Sequence, residues 1–321
     1  MMKPHQIPQL LLKYRVVVMA AAIVILGLTG MFSVHAHQQR LTQADTVAAN
    51  QAATPHQIKQ QQRHLKARRK TYLTHITAEG TTSVSFYNLG PIAGSSAAKS
   101  PLARQFYRRG QLAVSANAHT PVVSASTYKL FIAAYLFHLN HQGQYTWDTT
   151  SQDGFHRMIV NSENDFAEGI LDTYGLAGID NYIGSQDYYT PMFIANQEAM
   201  TTAASLTKLL VRLDRAQAPF NHAHDRSWLL SLMKQQVYRT GIPAGASAAK
   251  TGTTVADKVG FLGDTNNDSA IVTLPSGQRY VLVIMTHGHG QTGFSGFPRM
   301  AKITTHIQKL MYGATATQKL H

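Results

Sequence analysis

The chain has 321 residues, 44% of them hydrophobic and 14% charged, a composition that excludes a disordered protein and leaves room for one large domain or two modest ones with tails. It contains no cysteine, which excludes disulfides, thiolate catalysis and cysteine-ligated metal. The formal net charge of +13 would suit a nucleic-acid binder, but residues 1–70 hold ten Lys or Arg against Asp45 alone, while the rest hold 19 basic against 15 acidic side chains, so no basic groove is expected on the folded part.

The first element is the apolar run Val16–Val34, preceded by Lys3, Lys13 and Arg15. About 19 apolar residues can just cross a bilayer as a helix, and cations ahead of the run keep that end in the cytoplasm. Residues 1–36 are therefore expected to be a cytoplasmic tip with a membrane anchor or a signal segment. Val34-His35-Ala36 offers a cleavage pattern, whereas the length of residues 16–34 favours the anchor. In either case the remainder lies outside the cytoplasm, at the cell membrane if the anchor stays and secreted if it is cut. Residues 37–71, rich in Gln, Ala, His, Lys and Arg, read as a basic polar linker. It is either a solvated tether or an arm for anionic lipids or envelope polymers. Order is expected over residues 72–315, with 316–321 a tail.

Thr82–Leu89 alternates apolar and polar residues and ends at Gly90-Pro91, a strand and a turn. Gln111–Ala116 is a second short strand. Lys129–Leu139 is apolar on nearly every side, the pattern of a buried helix. Helical patterns follow over 157–174, 201–215 and 226–238. Val255–Phe261 then reads as a strand, Gly263–Asp268 as a turn, and 270–274 with 280–285 as a hairpin about Pro275-Ser276-Gly277. Pro298–Met311 fits a final amphipathic helix. Strands at both ends of a helical block predict an α/β (α+β) fold, one sheet built from distant parts of the chain with an inserted all-α region.

Three short motifs sit on this frame: Ser126-Thr127-Tyr128-Lys129, Ser162-Glu163-Asn164 and Lys250-Thr251-Gly252. Ser126 and Lys129 fall one helical turn apart and share a face. A serine hydroxyl needs a base to take its proton, and a lysine serves when desolvation lowers its pKa. Ser162 and Asn164 suit a loop presenting both side chains inward, Ser162 to relay a proton to a leaving nitrogen and Asn164 to hold a substrate amide or Lys129. Lys250, at a strand start, offers charge for a substrate carboxylate and Thr251 a hydroxyl. Gly252 allows close approach, and the backbone N–H groups of Ser126 and Thr253 are candidate oxyanion donors. Taken singly, Ser126 is a helix cap, Asn164 a turn former and Lys250 a surface charge.

Taken in order, the motifs match the S-x-x-K, S-D-N and K-T-G set, and the chain resembles the class A β-lactamase-like serine hydrolases, a branch of the penicillin-recognising enzymes. Phe86–Leu89, Ser124–Leu130, Met158–Asn164, Thr201-Thr202, Arg239–Gly245 and Ala249–Thr253 extend the resemblance over roughly residues 75–315. It implies a β-lactamase/D,D-peptidase-like fold, an antiparallel sheet flanked by helices, with acyl-enzyme chemistry at Ser126 on β-lactams or cell-wall peptides. It departs from the family in one place: between Gly184 and Glu198 there is no E-x-x-L-N, the motif whose glutamate activates the deacylating water. Asp187 and Glu198 are the candidate replacements, or else a turn residue and a helix cap, and slow deacylation is expected.

Three functions remain open at this point: a β-lactam-opening hydrolase, a peptidoglycan D,D-peptidase or transpeptidase, and a non-catalytic wall- or β-lactam-binding protein. His287-Gly288-His289-Gly290 is read as a polar loop, and the reaction calls for no metal and no organic cofactor.

Overall fold

The computed structural model describes residues 53–317 and residue 320. The expected membrane segment 16–34 and residues 37–52 of the basic linker lie outside the described residues. Among the described residues no helix is long and apolar enough to cross a membrane.

The chain runs α1 (Pro55–Ile76), β1 (Thr82–Asn88), α2 (Ser96–Lys99), α3 (Pro101–Phe106), β2 (Val114–Ala116), β3 (Val122–Val123), a 3₁₀ turn (Ala125–Tyr128) and α4 (Lys129–His141). The helical block continues with α5 (Thr149–Val160), α6 (Asp165–Tyr174), α7 (Leu176–Ser185), the short β4 (Met200–Thr201), α8 (Ala203–Asp214), α9 (Ala223–Lys234) and α10 (Ile242–Ala249). It closes with β5 (Thr254–Leu262), β6 (Thr265–Thr273), β7 (Arg279–Thr286) and α11 (Phe297–Tyr312). The main sheet has the order β2-β1-β7-β6-β5, antiparallel throughout, so the first strand pairs with the last, as the sequence order implies.

Two sequence expectations need correction. The domain begins at Thr54, not at residue 72. Thr54 and Gln57 form a reciprocal N-cap with Pro55 at the first helical position, and α1 buries Ile58, Gln61, Leu65, Arg69 and Leu73 along one stripe. Charged residues between those positions hide the stripe in the composition. Ala316, at the start of the expected tail, packs on the domain, since Gln61 donates to its carbonyl. The second correction concerns Gly263–Asp268, where only Gly263 and Asp264 turn. Asn266, Asn267 and Asp268 belong to β6 and are fully buried, because each side chain bonds to backbone of a neighbouring segment.

The helical block packs around α4, which buries Leu130–Phe137 on all sides. Phe137 lies at its centre, with ring centroids of Trp147, Phe155, Phe220 and Trp228 at 5.7–6.3 Å. Phe137→Ala is expected to cost about 3–5 kcal/mol of stability, the range for emptying a fully packed aromatic site, read as the shift in urea unfolding.

Candidate active site

Ser126 sits in the 3₁₀ turn that leads into α4, not inside the helix. This turn rests on β5 at Gly260. A Cβ on Gly260 would lie 2.8 Å from Ser126 N, 2.9 Å from Ser124 O and 2.9 Å from Thr127 N, so only glycine lets the turn come this close. Across the sheet Gly260 pairs with Asn267. The Asn267 amide donates over the gap to the carbonyls of Val123 and Ser124 at 2.9 and 3.0 Å. Thr127 Oγ1 donates to the same Ser124 carbonyl at 2.7 Å. The turn is thus pinned from below, by backbone contact and by one buried amide.

Lys129, the first residue of α4, is fully buried. Its Nζ lies 3.1 Å from Ser126 Oγ, 2.7 Å from the Ser162 carbonyl and 2.6 Å from Asn164 Oδ1. The first two motifs therefore converge as the sequence reading expects. Burial pulls the Lys129 ammonium down to about 8, partly offset by the carboxylates of Glu168, Asp165 and Glu163. Ser162 lies between α5 and α6 with φ 65°, a left-handed backbone rare for a residue with a side chain. That conformation costs roughly 1–3 kcal/mol where the surroundings impose it. Here it turns the Ser162 carbonyl to Lys129 and the hydroxyl the other way.

The hydroxyl meets a second buried lysine that the sequence reading missed. Lys258, in the middle of β5, donates to Ser162 Oγ at 2.6 Å and to the Val259 carbonyl at 2.8 Å. Burial, then the charge of Lys129, hold the Lys258 ammonium well below its usual range, while Asp257 and Asp268 oppose the shift. Burial raises Asp268 to about 7. The third site motif is thus Lys258-Val259-Gly260. Lys250, Thr251, Gly252 and Thr253 follow α10 at the other end of β5. Thr253 and Phe261 are eight residues apart along nearly continuous strand, roughly 26 Å at 3.3 Å per residue. Lys250 lines a separate cavity with Leu274, Pro275 and Gln308, and Thr253 Oγ1 closes a local turn onto the Lys250 carbonyl. The visible signal for Lys258 was a lysine inside the apolar run Val255–Phe261, where a charge needs a buried partner.

The second expected oxyanion donor moves with the motif. Gly263-Asp264 is a two-residue hairpin loop, so Leu262 and Thr265 close the ladder as a hydrogen-bonded pair. Alternation then points the backbone of Val255, Val259 and Phe261 away from β6. The Val255 and Val259 carbonyls do accept from Arg239 and Lys258 on that outer side. Phe261 N–H therefore points away from β6, and Phe261 lines the same cavity as Ser126, whereas Thr253 N–H is bonded to the Lys250 carbonyl.

A cavity of about 450 Å³ opens above these groups, lined by Ser126, Tyr128, Ser162, Asn164, Tyr238 and Phe261 among others. Glu163, Glu168 and Glu198 also line it, and no Lys or Arg does among the described residues. Glu198 thus reaches the site. Asp187 does not: it occupies a left-handed turn with its side chain 87% exposed, paired to Lys208 at 3.3 Å. Glu168, on the first turn of α6, is a pocket carboxylate that sequence reading passed over. Glu163 is held by Arg157 at 2.6 Å and by Asn161 at 2.9 Å.

A family described as the β-lactamase enzyme family matches residues 148–313. No curated protein matches the chain. Among solved structures the chain is similar to PBP-A, at 19% identity over 80% of this chain and 97% of that one, with a TM-score of 0.58. It is also similar to a class A β-lactamase from Bacteroides cellulosilyticus, at 13% identity over 77% and 98% with a TM-score of 0.58. A third likeness is to the TLA-1 extended-spectrum β-lactamase, at 15% identity over 77% and 99%, again with a TM-score of 0.58. These likenesses show the β-lactamase-like fold.

Because the atoms facing Gly260 are backbone, Gly260→Ala has no flexible side chain to displace. It is expected to lower stability by about 1–3 kcal/mol in urea unfolding and to move the Ser126 turn off the sheet.

Proposed function

The chain belongs to the β-lactamase enzyme family, and from that premise we propose that it is an extracytoplasmic serine hydrolase in which Ser126 forms an acyl-enzyme with β-lactams and releases it slowly. The observation that carries this reading is the 3.1 Å approach of Lys129 Nζ to Ser126 Oγ. With Lys129 neutral, its lone pair takes the hydroxyl proton across that distance while Oγ attacks the lactam carbonyl. In this reading the N–H groups of Ser126 and Phe261 receive the oxyanion. As the C–N bond breaks, Ser162 gives its proton to the leaving nitrogen and is reprotonated by Lys258, which donates to its Oγ at 2.6 Å. Lys258, hydrogen-bonded to Ser162 Oγ, supplies the positive charge first sought at Lys250.

Deacylation needs a carboxylate fixed on a water. Glu168 and Glu198 line the cavity but are solvent-exposed, and an exposed carboxylate samples several rotamers. A misplacement of about 1 Å can cost ~100-fold in rate. The same weakness supports a second reading, a D,D-peptidase acting on cell-wall peptides, for which rapid β-lactam turnover is not required. A mutant of PBP-A was solved as an acyl-enzyme complex with penicillin G, at 18% identity and a TM-score of 0.57 to this chain. The extracytoplasmic placement rests on residues 16–34 alone.

Intact-protein mass after mixing the full chain with a penicillin is expected to show a persistent adduct, absent in Ser126→Ala. An adduct that vanishes within the mixing time while product accumulates overturns slow deacylation, and no adduct at all favours the binding-only reading. The ratio of turnover on a chromogenic cephalosporin to that on a D-Ala-D-Ala peptide separates the two enzymatic readings. Lys258→Ala is expected to slow acylation by ~100-fold or more, the lower range for loss of proton-transfer support. Lys250→Ala should change it by less than about twofold, since its side chain is remote; equal effects would restore the Lys250 motif.

The acylation rate should also rise with pH through about 8 as Lys129 loses its proton. Glu168 holds that pKa up, so Glu168→Gln should move the midpoint to lower pH, and a shift upward would contradict the assignment of Lys129 as base.

A further inference from the structure

At the far end of α4 from Lys129, three side chains turn toward one another without any part in the pocket. His141 is the last residue of α4, His222 the N-cap of α9 and Asp225 the third residue of α9. Their ligand-capable atoms all lie within 4.8 Å of one another. His141 Nε2 stands 2.7 Å from Asp225 Oδ2, and the Asp225 side chain is only 10% exposed. The rings of His141 and His222 stack with centroids 3.6 Å apart and planes 17° apart. A third imidazole follows closely, His224 Nδ1 at 3.2 Å from Asp225 Oδ1, with its ring 87% exposed.

We propose that His141, His222 and Asp225 form a divalent metal site of zinc type that ties α4 to α9. Two imidazoles and a carboxylate are a donor set suited to zinc, with copper and nickel as competitors. Metal–nitrogen and metal–oxygen bonds of 2.0–2.2 Å place tetrahedral ligand atoms ~3.4 Å apart. The observed separations, from 2.7 Å to at most 4.8 Å, bracket that value, so small side-chain rotations suffice. His222 is free to make them: although at an N-cap, its side chain makes no capping hydrogen bond. Asp225, at the third helical position, could reach back to the cap and reaches His141 instead. The negative end of α4 favours a cation beside His141, and the Asp225 carboxylate offsets the positive end of α9. The fourth position falls to water or to His224. The histidines singled out in the sequence are different: His289 is engaged on both ring nitrogens, by Arg299 at 2.8 Å and by Thr81 at 2.9 Å.

The two histidine ligands lie on either side of the segment that carries Ser162, Asn164 and Glu168, so the ion would clasp the helical block that walls the cavity. It would not touch the reacting groups: twelve residues of helix, ~18 Å at 1.5 Å per residue, separate His141 from Lys129.

The test uses the full chain stripped with a chelator, titrated with zinc chloride by calorimetry and then melted with and without zinc. One saturable equivalent and a raised Tm are expected. His222→Ala and Asp225→Asn should each weaken binding by roughly tenfold or more, since a lost ligand costs at least as much as a lost supporting hydrogen bond. His141→Ala/His222→Ala should abolish both the equivalent and the rise in Tm. Should the double variant fail to fold, His222→Ala alone, at an exposed position, decides the matter. No saturable equivalent in the parent chain, or unchanged affinity in the variants, overturns the proposal. Penicillin adduct formation at Ser126, measured in parallel with and without zinc, is expected to stay the same, so the two proposals can fail separately.

Discussion

The site depends on keeping two ammonium groups buried within reach of one serine. Lys129 and Lys258 are both fully buried, and an unpaired buried charge costs several kcal/mol. Lys129 is made tolerable by the Ser162 carbonyl and Asn164 Oδ1, and Lys258 by Ser162 Oγ, the Val259 carbonyl and the nearby carboxylates of Asp257 and Asp268. Ser162 serves both lysines from opposite sides, which requires its left-handed backbone. The low pKa of Lys129 has its origin in burial. A cluster of polar groups is held dry by α4 on one side and β5 on the other, and its protonation energies follow from that dryness.

The sheet supplies the second constraint, since it fixes the height of the Ser126 turn. Gly260 removes the side chain that would keep the Ser126 turn away, and Asn267, its cross-strand partner, reaches through the gap to hold the turn by two carbonyls. Each half of the device is useless alone. A side chain at residue 260 would block the approach, and an apolar residue at 267 would take a donor from the Val123 and Ser124 carbonyls, of which the second keeps Thr127 Oγ1, a loss of about 1 kcal/mol for each bond.

Much of this was legible in the sequence because it is written in periodicity. The apolar-all-round helix after Ser126, the alternating strands and their order along the chain give the sheet, the helical insertion and the meeting of Ser126, Lys129, Ser162 and Asn164. The third motif was misread because the letters Lys250-Thr251-Gly252 fit a pattern while the strand that must carry it begins only at Thr254. Lys258-Val259-Gly260 lacks the hydroxyl residue but stands where the burial is. Asn266-Asn267-Asp268 misled in the same way: polar residues in a row look like a turn unless their partners, far off in sequence, are known. α1 was missed because a stripe as thin as Ile58, Leu65 and Leu73 hardly shifts the mean composition of a basic segment.

Charge in the site is layered, with carboxylates at the rim and ammonium groups on the floor. Glu168, Asp165 and Glu163 raise the Lys129 pKa against the lowering by burial, and the balance leaves it at about 8. At pH 7 roughly one molecule in ten then carries the neutral amine that the proposed acylation requires, since each pKa unit is a factor of ten. A rim of Glu163, Glu168 and Glu198 without a lining cation also opposes a substrate carboxylate before it can feel Lys258 below. Arg157 neutralises only the first of the three. In the proposed mechanism, therefore, the substrate's acyl side must supply much of the binding. The aromatic group of Tyr238, Phe261 and Phe294, whose centroids lie 4.4–5.3 Å apart, contributes two of its rings to the cavity and offers the apolar surface for it.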